Sequence, residues 1–248
     1  DPIAPFGGVL VVNRAVDKDT AEAVSSQYYE VICAPDYEEG TVEILAQRKN
    51  LRIVRLKNIA RLDTYLGQRY VDIKSLSDGS LFHQWSYIPT AGSDNTIIRT
   101  FDDFAKHVVV PQKEPIRRME EGRVVRTGET IGINRQPTEE EMKDLWFAWM
   151  VETCVTSNSV LTAKNLATVS IGVGGQDRVM MAKQCVNKAY ESRKALIALQ
   201  KHGMLFDALL LEARLGVVSN RVLKAIEDEA MEDNAGLEGA VAASDAFF

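Results

Sequence analysis

The chain has 248 residues, 46% of them hydrophobic and 26% charged, with a formal net charge of −6. This is the composition of a folded globular protein, long enough for one large domain or two small ones and unlike a disordered chain. No run approaches the roughly 18 uninterrupted apolar residues of a membrane-spanning helix, and the acidic balance argues against a general nucleic-acid surface.

The first 55 residues alternate between two periodicities. Gly8–Asn13 (GVLVVN) reads as a strand. Asp17–Gln27 reads as a short helix, with Ala21 and Val24 three apart. Tyr29–Cys33 is a second strand. Asp36 and Glu39 have capping-box spacing ahead of a second helix bearing Val42 and Leu45. Leu51–Arg55 is a third strand. This order predicts right-handed crossovers and a largely parallel sheet covered by helices, an α/β fold.

Residues 56–136 are less regular. Tyr70–Lys74 and Leu81–Tyr87 read as strands, Pro89–Asn95 as a turn-rich loop, and the arginine-rich stretch Arg117–Arg126 as a hairpin or surface loop. Pro137, Thr138 and Glu141 then signal a helix start. Met142, Leu145, Trp146 and Trp149 form its apolar stripe. Asn158–Ala163 and Thr168–Ile171 read as strands around Lys164–Asn165. Asp177 begins a long helix, and Met204–Leu215 and Asn220–Met231 are two more. The natural division falls at 136/137, giving 1–136 and 137–248.

Cysteines 33, 154 and 185 are odd in number and far apart, with neither a disulfide framework nor zinc-site spacing. With no charged-then-apolar leader at its start, the chain is expected to be cytoplasmic. His83, His107 and His202 are isolated from one another. The stretch Thr156–Arg178 is the most informative: strand, turn, strand, glycine-rich loop and helix start. Gly172, Gly174 and Gly175 leave room for a ligand beside the backbone. Asn158 offers an amide, and Arg178 a fork of donors in the first helical turn. The loop lacks the spacing of the dinucleotide fingerprint.

These residues resemble a known family. Asn158-Ser159-Val160, Ala163-Lys164, Gly172-x-Gly174 with Arg178, and Ser244-Asp245-Ala246-Phe247-Phe248 are similar to blocks of the aminoimidazole carboxamide ribonucleotide (AICAR) formyltransferase family. In that family the domain is usually fused to inosine monophosphate cyclohydrolase. Asp1-Pro2-Ile3 through Phe6-Gly7-Gly8, Glu30-Val31-Ile32 with Ala34-Pro35, and Lys49-Asn50-Leu51-Arg52 agree as well. The resemblance implies a three-layer α/β/α architecture of cytidine-deaminase-like subdomains without zinc. It also implies a homodimer with active sites at the interface, and formyl transfer from 10-formyltetrahydrofolate to the 5-amino group of AICAR.

Carried over position by position, the resemblance makes Gly7 a close-approach glycine of the nucleotide pocket and Glu30 an acceptor from the ribose hydroxyls. Asn158 holds the substrate near the reacting amine, and Arg178 donates to the carboxamide. Phe247 lines the pocket, Lys164 supports catalysis, and a monovalent cation is a further possibility near Ser159 and Asp245. The departures are specific. The family's catalytic Lys-His pair belongs upstream of the segment that begins here and is not found at the matching place, and the polypeptide is expected to continue beyond Phe248. Without that pair the span is not expected to be an efficient catalyst by itself. Asp177 also puts a negative charge beside Arg178. A non-catalytic member that binds a purine ribonucleotide or serves in dimerisation is therefore the alternative, and a nucleotide-dependent oxidoreductase the third possibility.

Overall fold

The N-terminal alternation folds as its spacing predicts. In the computed structural model, which describes residues 3, 6–61, 64, 68–86, 90–91, 96–107, 114–120, 123–131 and 135–245, three strands form a parallel sheet. They are β1 (Gly8–Val11), β2 (Tyr29–Ala34) and β3 (Arg52–Arg55), in that spatial order. Register sets Leu10 beside Ile32 and Ile32 beside Ile53, so an apolar row crosses one face. Parallel strands need crossovers. Here these are α1 (Lys18–Ser25) and α2 (Thr41–Ala46), which bury Ala21, Val24 and Leu45 against that row. Val9 and Val11, on the other face, stay exposed.

The start of α1 is the one expected: Asp17 Oδ1 accepts from the Thr20 amide at 2.8 Å. The start of α2 is not. Asp36 accepts instead from the neighbouring Tyr37 amide and pairs with Arg55 at 2.5 Å. The helix begins later, after Gly40 at φ 84°, with no side-chain cap. A charged guanidinium within reach is a stronger partner for a carboxylate than a distant backbone amide.

Backbone packing divides the chain into two units, residues 1–66 with 186–238 and residues 67–185 with 239–248. Each unit is assembled from separate stretches of the chain. In the first, the end of α5 (Arg178–His202), α6 (Phe206–Arg214) and α7 (Asn220–Glu232) pack around Ile197, Ala198, Phe206, Leu209, Leu223, Ile226 and Ala230. The i, i+3, i+7 spacing of Leu223, Ile226 and Ala230 is what places them on one face.

The second unit is built on an antiparallel sheet of β10 (Ser159–Lys164), β11 (Ala167–Val173) and β12 (Val241–Ser244), ordered β11–β10–β12. Strand alternation sends Leu161 and Ala163 toward α4 (Glu139–Glu152), where they bury with Ala148. On the opposite face, Thr162 Oγ1 lies 3.8 Å from Cys185 Sγ of α5. Helix, sheet and helix stack as three layers, confirming the α/β class.

Thr138 and Glu141 close the predicted capping box of α4, although Pro137 precedes the cap rather than opening the helix. Trp146 and Trp149 do not face the sheet. They meet Phe101 and Phe104 of α3 (Phe101–His107), with ring centroids 6.2 and 5.7 Å apart. α4 is thus apolar on two sides, and the sequence stripe was the one turned away from the strands. Antiparallel pairs β4 (Val71–Ser75) with β5 (Leu81–Trp85), β6 (Thr90–Ala91) with β7 (Thr96–Ile97), and β8 (Glu114–Glu120) with β9 (Arg123–Ile131) complete the described strands. Among the described residues no helix is long and apolar enough to cross a membrane.

Candidate functional site

The glycine-rich loop exists because two backbones approach closely. A Cβ at Gly172 would fall on the Met181 carbonyl of α5, so only glycine lets strand and helix lie this near. Gly174 turns the chain at φ 74°. Its amide donates to the carbonyls of Thr156 (3.2 Å) and Asn158 (3.0 Å), lacing the loop to the start of β10. Asp177 caps α5 by accepting from the Met180 amide at 2.7 Å. Its charge is therefore engaged at the helix start rather than presented alone beside Arg178.

Asn158 and Arg178 are both tied to this junction, through different partners. The Ser157–Asn158 peptide is cis. Asn158 Nδ2 donates to the carbonyls of Gly175 (3.0 Å) and Gln176 (3.2 Å), so this amide shapes the loop as well as flanking it. Arg178 Nη2 donates to Asp245 Oδ2 at 3.1 Å, with both side chains largely buried.

Asp245 is the hub, and the sequence had assigned it no fixed role. Its Oδ2 also accepts a short hydrogen bond from Ser157 Oγ, and its Oδ1 accepts from the Ser159 amide at 2.8 Å. The Ser157 hydroxyl first, then the Ser159 amide and the Arg178 charge, hold its carboxyl down to about 2. Fully buried Ser159 lies between two carboxylates: its hydroxyl makes a short hydrogen bond to Glu152 Oε1 and lies 3.3 Å from Asp245 Oδ1. One hydroxyl proton serves one acceptor at a time. Glu152 Oε2 is buried without a hydrogen-bond partner among the described residues. Two carboxylates and two serine hydroxyls make a hard-oxygen set suited to a small cation. Among the described residues no group of three or more His, Cys, Asp or Glu side chains comes together.

Beside Arg178, an open hollow of about 450 Å³ is floored by Val160, Val179, Ala182, Ala242 and Ala243. A guanidinium at the rim of a small-residue shelf suits a flat ligand with a polar edge.

The remaining sequence candidates lie elsewhere. Gly7 and Glu30 are together in the first unit: Gly7 has φ 76°, and a Cβ there would lie 3.5 Å from Glu30 Oε1. Glu30 also faces Arg52 at 3.6 Å, and a polar hollow of about 380 Å³ is lined by Tyr28, Glu30, Lys49, Asn50, Leu51 and Arg52. Lys164 ends the strand that begins beside Asn158. At about 3.3 Å per residue it stands roughly 20 Å from that junction, so the structure does not bring it to Arg178. Phe247 lies outside the described residues.

An α/β protein with an arginine–aspartate pair and an asparagine at a glycine-loop helix start has the donors and acceptor to hold a polar, planar ligand. The sequence matches the AICARFT/IMPCHase bienzyme family over residues 1–188, and the chain belongs to that family. It is similar to the bifunctional purine biosynthesis protein PurH of Thermoanaerobacter sp., 34% identical over 79% of this chain and 31% of that protein. It is also similar to the PurH proteins of Aquifex aeolicus, at 30% over 88% and 35%, and Caldicellulosiruptor bescii, at 27% over 88% and 35%. The chain thus spans about a third of the length of these relatives.

Proposed function

We propose that this chain belongs to the formyl-transfer part of a purine-synthesis enzyme. The formyl group of 10-formyltetrahydrofolate passes to the 5-amino group of AICAR, giving the formamido nucleotide and tetrahydrofolate. The observation that carries this is the glycine loop at the start of α5, with Asn158 bonded to its Gly175 carbonyl and Arg178, just after it, bonded to Asp245. Membership of a family whose relatives are named for purine biosynthesis supports it.

The AICAR amine is a poor nucleophile, because its lone pair is delocalised into the imidazole and toward the carboxamide. Transfer therefore requires an oriented amine, loss of its proton and stabilisation of an oxyanion. In this chain Arg178, aimed by Asp245, donates to the carboxamide oxygen and fixes the ring. Both side-chain hydrogen bonds described for Asn158 use its N–H groups, so its oxygen is the atom turned to accept from the substrate amine. Glu30 accepts from the ribose hydroxyls, and Gly7 keeps side-chain bulk out of that approach. The family resemblance assigns Phe247 to the pocket lining and gives Lys164 a supporting role away from Arg178. The chain works as a homodimer in the cytoplasm.

A monovalent cation fits the oxygen set of Glu152, Ser157, Ser159 and Asp245. Bound there, it supplies neutralisation of two neighbouring carboxylates. Ser159 and Asp245, tied to each other between β10 and the end of β12, would be among the residues that hold it.

The test is formyl transfer to AICAR by the intact gene product, followed through tetrahydrofolate release. Turnover that requires both substrates is the expected result. AICAR binding without transfer would favour the non-catalytic member of the family instead.

A further inference from the structure

The side of α5 turned toward the sheet carries Arg178, Met181 and Cys185, at i, i+3 and i+7. Each meets a partner there. Arg178 donates to Asp245, the Met181 carbonyl lies where a Cβ on Gly172 would be, and Cys185 Sγ donates to the Ser170 carbonyl at 3.5 Å. Gln184, one turn beyond Met181, adds a polar contact. Its Oε1 accepts from the Val173 amide at 3.2 Å. Val173 ends β11 opposite Ser159, so this amide stands at the mouth of the glycine loop. Gln184 is half-buried. Methionine has nearly the same length and fills such gaps readily, so packing alone does not call for an amide here. A backbone N–H in want of an acceptor does.

We propose that Gln184 is a positioning residue for substrate binding, acting through the loop. On one side the loop is held by the start of β10. The Gly174 amide donates to the carbonyls of Thr156 and Asn158, and the Asn158 side chain donates to those of Gly175 and Gln176. On the other side Gln184 holds it from α5, the helix whose first turn carries Arg178. Asn158 and Arg178 have different partners, so the spacing of amide and guanidinium depends on how the loop is set between β10 and α5. Gln184 fixes that setting. A shift of about 1 Å in a group that orients substrate can cost on the order of a hundredfold in rate. The consequence for AICAR rests on the roles proposed above for Asn158 and Arg178; the bond between Val173 and Gln184 does not.

The intact gene product provides the test, with Gln184→Met, which removes the acceptor at nearly constant shape, and Gln184→Glu, which keeps one. Gln184→Met should raise the AICAR dissociation constant about fivefold to tenfold, the equivalent of one hydrogen bond, with a melting temperature close to the parent's. The KM for 10-formyltetrahydrofolate should stay unchanged, a split that general loosening would not give. Amide exchange across residues 173–176, followed by mass spectrometry, should quicken by a similar factor. Gln184→Glu should restore both the affinity and the slow exchange. A Gln184→Met protein that melts early, yet binds AICAR and exchanges its loop amides as the parent does, would show a purely structural role and overturn the proposal. Parental affinity and exchange in both variants would overturn it too, and would leave the proposed transfer activity standing. A parent that binds no AICAR would refute that activity, and with it the substrate role of Gln184, whatever the loop amides do.

Discussion

Arg178 Nη2 lies 3.1 Å from Asp245 Oδ2, linking the first turn of α5 to the end of β12 across 67 residues of sequence. The carboxylate that aims the arginine also accepts from Ser157 and Ser159 at the start of β10. One anion therefore fixes three chain segments at once. Its carboxyl is held down from 3.8 to about 2. A depressed native value means that its contribution is complete above pH 3.8 and is lost as pH falls through about 2. Melting temperature should drop across that window, and Asp245→Asn should flatten the drop. At neutral pH the same substitution should cost roughly 1.5–3 kcal/mol, the range for hydrogen bonds involving a charged group, read by urea unfolding.

Arg178→Ala should weaken AICAR binding by about 1.5–3 kcal/mol, a tenfold to hundredfold change read by calorimetry. Arg178→Lys should recover only part of it, because an ammonium cannot present the planar fork of a guanidinium. Unchanged affinity for AICAR in both variants would remove Arg178 from the site.

Gly172 and Gly175 should respond differently to alanine. At Gly172 the added Cβ meets the backbone carbonyl of Met181, which cannot move unless α5 moves. At Gly175 it meets only the Met181 side chain, which has other rotamers. Gly172→Ala should therefore cost about 1–3 kcal/mol or more, and Gly175→Ala well under half of that. Equal unfolding midpoints for the two variants would show that the helix is not as closely docked as described.

The contrast explains what the sequence made legible. Local rules placed β1, α1, β2 and β3, because period, cap and turn residues lie within a few positions of what they control. The capping of α4 by Thr138 and the start of α5 at Asp177 were visible for the same reason. Asp36 misled because its partner, Arg55, lies beyond any local window. The hub at Asp245 depends on β12 returning to β10, a pairing that no spacing announces. Asn158 and Arg178 could be singled out through family resemblance, but their link through the loop and Asp245 is tertiary. Trp146 and Trp149 looked like the core stripe because α3, their actual cover, carries only a short, weakly patterned signal.

The turn joining β10 to β11 yields the last prediction, because its sequence and backbone disagree. Asn165 and Leu166 both sit in the left-handed region, at φ 54° and 55°. Asparagine tolerates that conformation, whereas leucine there costs roughly 1–2 kcal/mol. Buried Asp144 of α4 compensates, accepting from the amides of Asn165 (3.0 Å) and Leu166 (2.7 Å). Leu166→Gly should raise stability by about 1 kcal/mol, the relieved strain outweighing the added freedom of the unfolded chain. Asp144→Ala should lower it by about 2–3 kcal/mol, since two inward-facing amides lose their acceptor. The double variant should recover part of that loss, because glycine adopts the turn without help. If Leu166→Gly instead lowers the urea midpoint, the half-exposed leucine side chain contributes packing that exceeds the strain, and Asp144 is an anchor for β10–β11 rather than a compensation for Leu166.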